Sequence, residues 1–415
     1  MALRALPLEL IRLHSEEPHV LEPEDSRKPD LNLESLAVVT HFLQSFDTAQ
    51  QRHYTTLARK HGLLDLSRWL QESKVSWNVP FRPSLDASFT FIDLFAGIGG
   101  MRIAFERAGG RCVFSSEWDP AARSTYFTNF AEVPFGDITK IANEKRTPEE
   151  IPRHDVLVAG FPCQAFSIAG FKGGFNDTRG TLFFNLARVI EYHRPKAFLL
   201  ENVKGLAGHD RGRTLKVIME TLTQDLGYHV TTKIVNARDF GVPQNRERIF
   251  IVGFKNKQTA ERFEFPEASG KKTTIADIKE RDTVDTRYYL SDRYLQTLIR
   301  HRDRHAARGN GFGFDVKSDG DIANAIVVGG MGKERNLLVD KRRREFTPTT
   351  NIKGPVNTQG IRKMTPREWA RLQGFPDKFV IPVADAQAYK QFGNSVAVPA
   401  IAATARQIIR ALEVG

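Results

Sequence analysis

The sequence predicts an α/β protein: a Rossmann-like sheet, preceded by a small helical extension and interrupted by a basic insert. Three observations carry that reading. From Phe89 onward, short β-rich runs alternate with helical stretches, the pattern of a parallel sheet. The first run leads into a glycine turn, Ala96-Gly97-Ile98-Gly99-Gly100, and then a helix. The charge is also uneven. Residues 255–370 hold 24 Lys/Arg against 16 Asp/Glu, whereas residues 1–86 hold 10 against 12.

The totals narrow the class. With 41% hydrophobic and 26% charged residues, the composition is that of a globular protein, and 415 residues call for two or three domains. No apolar run reaches the roughly 18–20 residues that span a bilayer. The N-terminus lacks the basic-then-apolar order of a signal peptide. Two cysteines, Cys112 and Cys163, argue against a disulfide framework and for a reducing cytoplasm. A formal net charge of +11 points to a polyanionic partner. A short run such as Lys341-Arg342-Arg343-Arg344 is ordinarily a solvated face; an excess held through residues 255–370 is harder to read that way.

Taken in order, residues 1–30 are rich in Pro and Glu and read as a loosely ordered lead-in. From Leu33 to Ser73 the apolar spacing is helical, through Leu36, Val39, Phe42, Leu57, Leu63 and Trp69. Two or three helices with a break at His61-Gly62 are expected, as a helix-turn-helix or a packing domain, and residues 75–88 read as a linker.

The first strand is Phe91–Phe95 and its helix Met101–Arg107. Between them the glycines let backbone approach a ligand. Arg102 stands at the last glycine position of Gly-x-Gly-x-x-Gly, which disfavours a pyrophosphate. A second strand, Arg111–Ser116, ends in Glu117-Trp118-Asp119. Glu117 lies 20 residues after Gly97, where such folds place a carboxylate for ribose hydroxyls. Trp118 offers a flat face for adenine. Asp137, in the turn Phe135-Gly136-Asp137-Ile138-Thr139, suits an exocyclic amine. Together they describe an adenosine site without phosphate recognition, which points to S-adenosylmethionine. Cys112, with no catalytic neighbours, reads as core.

The strand Asp155–Ala159 runs into Gly160-Phe161-Pro162-Cys163. Pro162 cannot continue a sheet, so Cys163 is held at the strand's carboxyl end. A free cysteine is more often a small buried hydrophobe; here it is a candidate nucleophile. Residues 167–180 contain four glycines and suit a lid. After the helix Leu182–His193, the strand Ala197–Leu200 ends in Glu201-Asn202-Val203. Gln244, Arg246 and Arg248, spaced by two, approach a further strand at Ile249–Val252, and alternation points them the same way.

These segments, Phe91–Gly100, Gly160–Gln164, Glu201–Val203, Gln244–Arg248 and Gln391–Val396, resemble in order the motifs of the bacterial DNA cytosine-5 methyltransferases of restriction-modification systems. The resemblance covers about residues 89–254 and 360–415. It departs at Ala165, where the family commonly has proline. It implies a Rossmann-like S-adenosylmethionine-dependent methyltransferase sheet with an inserted target-recognition domain. The divisions are an extension at 1–85, a catalytic domain at 86–254, the insert at 255–360 and returning C-terminal motifs at 361–415.

By that resemblance Cys163 is the nucleophile, Glu201 the acid at cytosine nitrogen 3 and Arg248 the clamp on the ring carbonyl. Arg246 supports them, and Gln164 and Ser167 lie near the DNA backbone or the lid. Phe95, Gly97, Ile98, Gly99, Glu117, Trp118, Asp137, Ile138, Pro162, Leu182 and Asn394 line the cofactor site, with no metal. The insert supplies DNA contacts, among them Arg302, Arg308, Arg335 and Arg343. Residues 307–314 resemble a loop in members that read short GC-rich sites. Thr365-Pro366-Arg367-Glu368 is a capping box that opens a helix, and a terminal helix from Val398 to Leu412 completes the catalytic domain.

The implied partner is duplex DNA with a short specific site, and a restriction endonuclease is the functional companion. The chain is read as a cytoplasmic monomer. Two other functions bear weighing. A tRNA cytosine-5 methyltransferase would share the chemistry, but the large basic insert argues against it. A DNA-binding regulator acting through the N-terminal helices would leave Cys163, Glu201 and Arg248 unexplained. A nicotinamide oxidoreductase fails on the glycine spacing.

Overall fold

The computed structural model describes residues 33–45, 48–60, 79–84, 86–143, 145–162, 182–309, 313–329, 332–343, 346 and 354–413. Two helices come first, α1 (Leu33–Leu43) and α2 (Thr48–Lys60). Their separation therefore falls at 44–47; His61-Gly62, the expected break, lies outside the described residues.

Strand and helix then alternate: β1 (Phe89–Leu94), α3 (Gly100–Glu106), β2 (Gly110–Ser116), α4 (Pro120–Phe130), the single turn α5 (Ile138–Ile141), β3 (Val156–Gly160), α6 (Leu182–His193), β4 (Ala197–Val203) and α7 (Arg213–Glu220). β5 (His229–Asn236), β6 (Gln244–Asn245), β7 (Glu247–Phe254) and α8 (Lys257–Arg262) follow. The basic stretch carries α9 (Asp292–Ala306), β8 (Val316–Lys317), β9 (Ala323–Asn324) and β10 (Leu337–Val339). The chain closes with β11 (Ile361–Arg362), α10 (Pro366–Leu372), α11 (Asp385–Asn394) and α12 (Val398–Glu413).

The main sheet has the order β2-β1-β3-β4-β7-β5. It is mixed, which corrects the expected all-parallel sheet. β1–β4 run parallel, whereas β7 is antiparallel to both β4 and β5. β5 was not anticipated. It is an edge strand with a mostly exposed burial pattern, so it lacks the apolar run that marks β3 and β4.

The central strands are buried on both faces, and alternation divides them between two cores. Phe91, Val156, Val158, Ala197 and Leu199 face a cluster built with α3, α10 and α12. Ile92, Leu157, Ala159, Phe198 and Leu200 face a second, built with α6 and the N-terminal helices. The expected capping box is present: Glu368 N–H donates to Thr365 Oγ1 (3.1 Å) and Thr365 N–H to Glu368 Oε2 (2.8 Å). The same Glu368 takes a bidentate pair from Arg362 (2.7 and 2.8 Å), whose Nε reaches Asp340 at 2.9 Å. All three side chains are buried, and their charges are compensated within the network. No helix among the described residues is long and apolar enough to cross a membrane.

Candidate active site

β3 and β4 lie side by side with Gly160 opposite Glu201. A Cβ on Gly160 would stand 3.8 Å from Glu201 Oε2, in ordinary contact with it. Beyond it, Phe161 is buried and its carbonyl accepts from Asn202 Nδ2 at 3.0 Å, so β4 also holds the turn that leads to Pro162. Cys163 follows directly in sequence. Cys163, Gln164, Ser167 and the expected lid at 167–180 lie outside the described residues.

Arg248 opens β7, opposite Val203 on β4. Because β7 runs antiparallel, its first residues reach the edge where β3 and β4 end. There Arg248 Nε stands 3.3 Å from Glu201 Oε1, and Arg248 Nη1 donates to the Glu247 carbonyl at 2.8 Å. Burial pushes the Glu201 carboxyl above its usual range, against the pull of Arg248 and Arg246. The arrangement favours a carboxyl that can hold a proton beside a fixed cation.

Arg246 does not join that pair directly. Its Nη1 donates to the Ile326 carbonyl (3.0 Å) and its Nη2 to the carbonyls of Ser395 (2.7 Å) and Gly393 (3.3 Å). Burial and the neighbouring Arg248 pull its pKa down to about 9, which still leaves it charged at neutral pH. Gln244 works on the same wall, accepting from Ile326 N–H (3.0 Å) and donating to the Leu372 carbonyl (2.9 Å). The three evenly spaced residues thus divide: Gln244 and Arg246 reach Ile326, and Arg248 reaches Glu201.

The residues expected around adenosine gather at the carboxyl ends of β1 and β2. Phe95 (φ 58°), Gly97 (φ 55°) and Gly99 (φ 86°) turn the chain through left-handed conformations. A side chain on Gly99 would strike the Phe130 ring, whereas a Cβ on Gly97 meets open space. Glu117 accepts from Gly97 N–H (2.8 Å) and Asp119 N–H (2.9 Å), and burial raises its carboxyl despite those donors. Each oxygen accepts one of these bonds, and a carboxylate has acceptor capacity beyond that for a diol.

Trp118, 75% exposed, presents its indole to solvent. Asp137 caps α5 through Oδ1 to Thr139 N–H at 2.9 Å. Ile98 and Ile138 are buried, Leu182 begins α6, and Pro162 and Asn394 are exposed. The donor set fits a ribose and an adenine. Cys112 is buried, as expected, and burial raises its thiol.

Asp119, Lys390 and Gln391, to which the sequence assigned no role, complete this edge. Asp119 caps α4 and accepts from Lys390 Nζ at 2.5 Å; Gln391 Nε2 donates to the Ala121 carbonyl at 2.9 Å. Together they fasten α11, and the turn after it, to the mouth of the site. Asp119-Pro120 is a legible cap signal, but its partner Lys390 lies far along the chain.

The basic residues separate. Arg308 and Arg335 are exposed. Arg302 is exposed too, over the Phe314 ring at 5.0 Å and paired with Asp303 at 3.1 Å. Arg343 and Arg342 are partly committed inside the protein: Arg343 Nε donates to the Val284 carbonyl (2.8 Å), and Arg342 Nη2 pairs with Asp340 (2.7 Å). Arg344 lies outside the described residues.

The family described as C-5 cytosine-specific DNA methylase matches residues 89–410. The chain is 62% identical over 331 residues to the Type II methyltransferase M.HpaII of Haemophilus parainfluenzae, covering 80% of this chain and 92% of that protein. It is 38% identical over 392 residues to the Type II methyltransferase M.MspI of Moraxella sp, covering 94% and 84%. Among solved structures, the S. pombe Dnmt2 methyltransferase shares the fold with a TM-score of 0.57 and 18% identity, over 80% of this chain and 99% of that one. On the match through residues 89–410 and these identities, the chain belongs to the C-5 cytosine-specific DNA methylases.

Proposed function

We propose that the protein methylates carbon 5 of a cytosine flipped out of a short specific duplex site, through a covalent adduct on Cys163. The observation that carries this reading is the Glu201–Arg248 pair, 3.3 Å apart beside the strand end that leads to Cys163.

Carbon 5 of cytosine is a weak nucleophile. Addition of the Cys163 thiolate to carbon 6 moves electron density onto carbon 5. Glu201, whose carboxyl burial pushes above its ordinary pKa, donates a proton to nitrogen 3 and stabilises the adduct. Arg248 holds the ring carbonyl and orients Glu201. S-adenosylmethionine, held by Glu117, Trp118 and Asp137, supplies the methyl group. Loss of the carbon 5 proton to a water molecule and return of the nitrogen 3 proton to Glu201 then let carbon 6 expel the thiolate and restore the aromatic ring. An ordinary thiol with pKa about 8.5 is only a few per cent ionised at neutral pH, a penalty of roughly 2 kcal/mol that the site must reduce. Extrusion of the base costs a few kcal/mol more, and residues 167–180 are the proposed agent that holds it out.

Gln164 and Ser167 are assigned to the DNA backbone or the lid, and Arg302, Arg308, Arg335 and Arg343 to DNA contacts from the insert. The Type II names of the relatives support pairing with a restriction endonuclease. The protein acts as a cytoplasmic monomer on nucleoid DNA.

Bisulfite sequencing of DNA from cells expressing the protein tests the reading. Methylated cytosine confined to one short motif is expected, and unmodified cytosine throughout would overturn it. A duplex carrying 5-fluorocytosine should trap the wild-type chain covalently and leave Cys163→Ala free.

A further inference from the structure

The N-terminal helices are packed onto the catalytic sheet, and their contacts concentrate on two segments. Tyr54 Oη donates to the Val113 carbonyl (2.5 Å), and Ser115 N–H points at His41 Nε2 (3.3 Å). Thr40 Oγ1 accepts from Val133 N–H (3.0 Å), and Gln44 Nε2 donates to the Phe130 carbonyl (2.7 Å). The His41 ring lies 5.0 Å from that of Phe135. Glu34 reaches furthest: its Oε2 accepts from Gly136 N–H at 3.4 Å, and a Cβ on Gly136 would stand 2.5 Å from its Oε1.

Residues 113–116 run directly into Glu117, and residues 132–136 directly into Asp137. The two segments are tied to each other. Glu117 N–H donates to the Phe135 carbonyl (2.8 Å), and Ser116 Oγ to the Gly136 carbonyl (2.7 Å). The third wall of the same site, the glycine turn before α3, is joined to them through Arg102. That residue is fully buried, with Nη1 3.0 Å from Glu132 Oε1. The same carboxylate takes Ser115 Oγ at 3.0 Å and lies 3.1 Å from His41 Nε2. The two segments that carry Glu117 and Asp137 are therefore braced from behind by α1, and the glycine turn is joined to them through Arg102 and Glu132.

We propose that α1 is the back wall of the cofactor site, with Glu34, Thr40 and His41 as positioning residues that hold Glu117 and Asp137 in place for S-adenosylmethionine. This rests on the cofactor reading of Glu117 and Asp137 above. The bonds of α1 go to the segments that precede Glu117 and Asp137, so its effect is on cofactor affinity and not on the chemical step.

Calorimetric titration of S-adenosylmethionine into the full chain tests the proposal, together with KM for cofactor, KM for DNA and kcat. Glu34→Ala should weaken cofactor binding about fivefold, the worth of one partly buried hydrogen bond. Its KM for cofactor should rise in step, with kcat at saturation and KM for DNA held. Glu34→Gln keeps an acceptor for Gly136 N–H and should restore affinity. Thr40→Val, close to Thr in shape, removes the acceptor for Val133 N–H and should act in the same direction; it carries the test if Glu34→Ala fails to fold.

Wild-type affinity in both Glu34→Ala and Thr40→Val, with unchanged melting, would overturn the proposal and leave α1 as a stabilising cover. Glu117→Ala separates the two layers: it should lose binding, and wild-type affinity in that variant would overturn the cofactor reading itself.

Discussion

Arg248 and Glu201 meet at 3.3 Å although their strands run in opposite directions, one at its start and the other near its end. The reversal of β7 is what makes this possible. In a wholly parallel sheet the first residue of a strand lies at the far edge from the last residues of its neighbour. Reversed, β7 delivers a cation to the edge where β3 hands the chain to Pro162.

Removing the proton from this pair should cost most of the rate. Glu201→Gln keeps the shape but cannot supply a proton of the same acidity, and kcat should fall about 10²–10⁴-fold, the usual worth of a general acid. Single-turnover methylation of a hemimethylated duplex measures it, and retention of the wild-type rate would remove Glu201 from its role.

The pH profile should carry the same signature. The role proposed for Glu201 requires its protonated form, and burial raises its pKa from the ordinary carboxylate range. Activity attributable to the acid should therefore be present below the raised pKa and fall as pH climbs through it. Arg248→Met removes the cation that favours ionisation, so it should move this limb to higher pH. A limb that shifts downward in that variant would contradict the assignment.

Acid stability should depend on Glu132. Burial alone would raise its pKa, but the Arg102 and His41 side chains bring it down from 4.5 to about 2. A depressed carboxylate stabilises the fold above its unfolded pKa, and the contribution is lost as pH falls between those values. The shift corresponds to roughly 3 kcal/mol. Urea unfolding at pH 7 and pH 3 should show about 2 kcal/mol of that loss in wild type, because pH 3 still lies above the folded value, and a much smaller pH-dependent loss in Glu132→Gln.

The Arg362 network gives a stability prediction that is independent of catalysis. Glu368→Ala leaves a fully buried guanidinium without its bidentate partner and breaks the capping box of α10, and should cost about 3–5 kcal/mol. Arg362→Met with Glu368→Met should recover much of that loss, because the uncompensated charge is gone. Thermal melts of the two variants make the comparison.

Much of this could be read from the chain because local chemistry wrote it there. Pro162 after an apolar run, where β3 has ended, and Thr365-Pro366 with Glu368, which form the cap, are each legible within a few residues, and Glu117, 20 residues after Gly97, accepts from its N–H. What depends on distant partners was not legible. The spacing of Gln244, Arg246 and Arg248 was visible. That the first two would grip the carbonyls and amide of a loop some eighty residues later was not. Nor could alternation reveal the direction of β7, since a strand reads the same either way. β5 went unnoticed because an edge strand exposed to water has no apolar pattern to show. The N-terminal helices were placed approximately, but their near-neutral charge gave no sign that they brace the adenosine-site segments.

Arg246 grips Ile326, Gly393 and Ser395 solely through main-chain oxygens. Every amino acid brings that same oxygen. The bond that joins the insert, at Ile326, to the catalytic wall is consequently made by an atom any residue there would supply, although the Ile326 side chain is itself packed in the core. An insert could exchange its surface for one that reads another DNA sequence and still be seated against an unchanged reaction centre. Versatility in target choice and constancy of chemistry would then share one guanidinium.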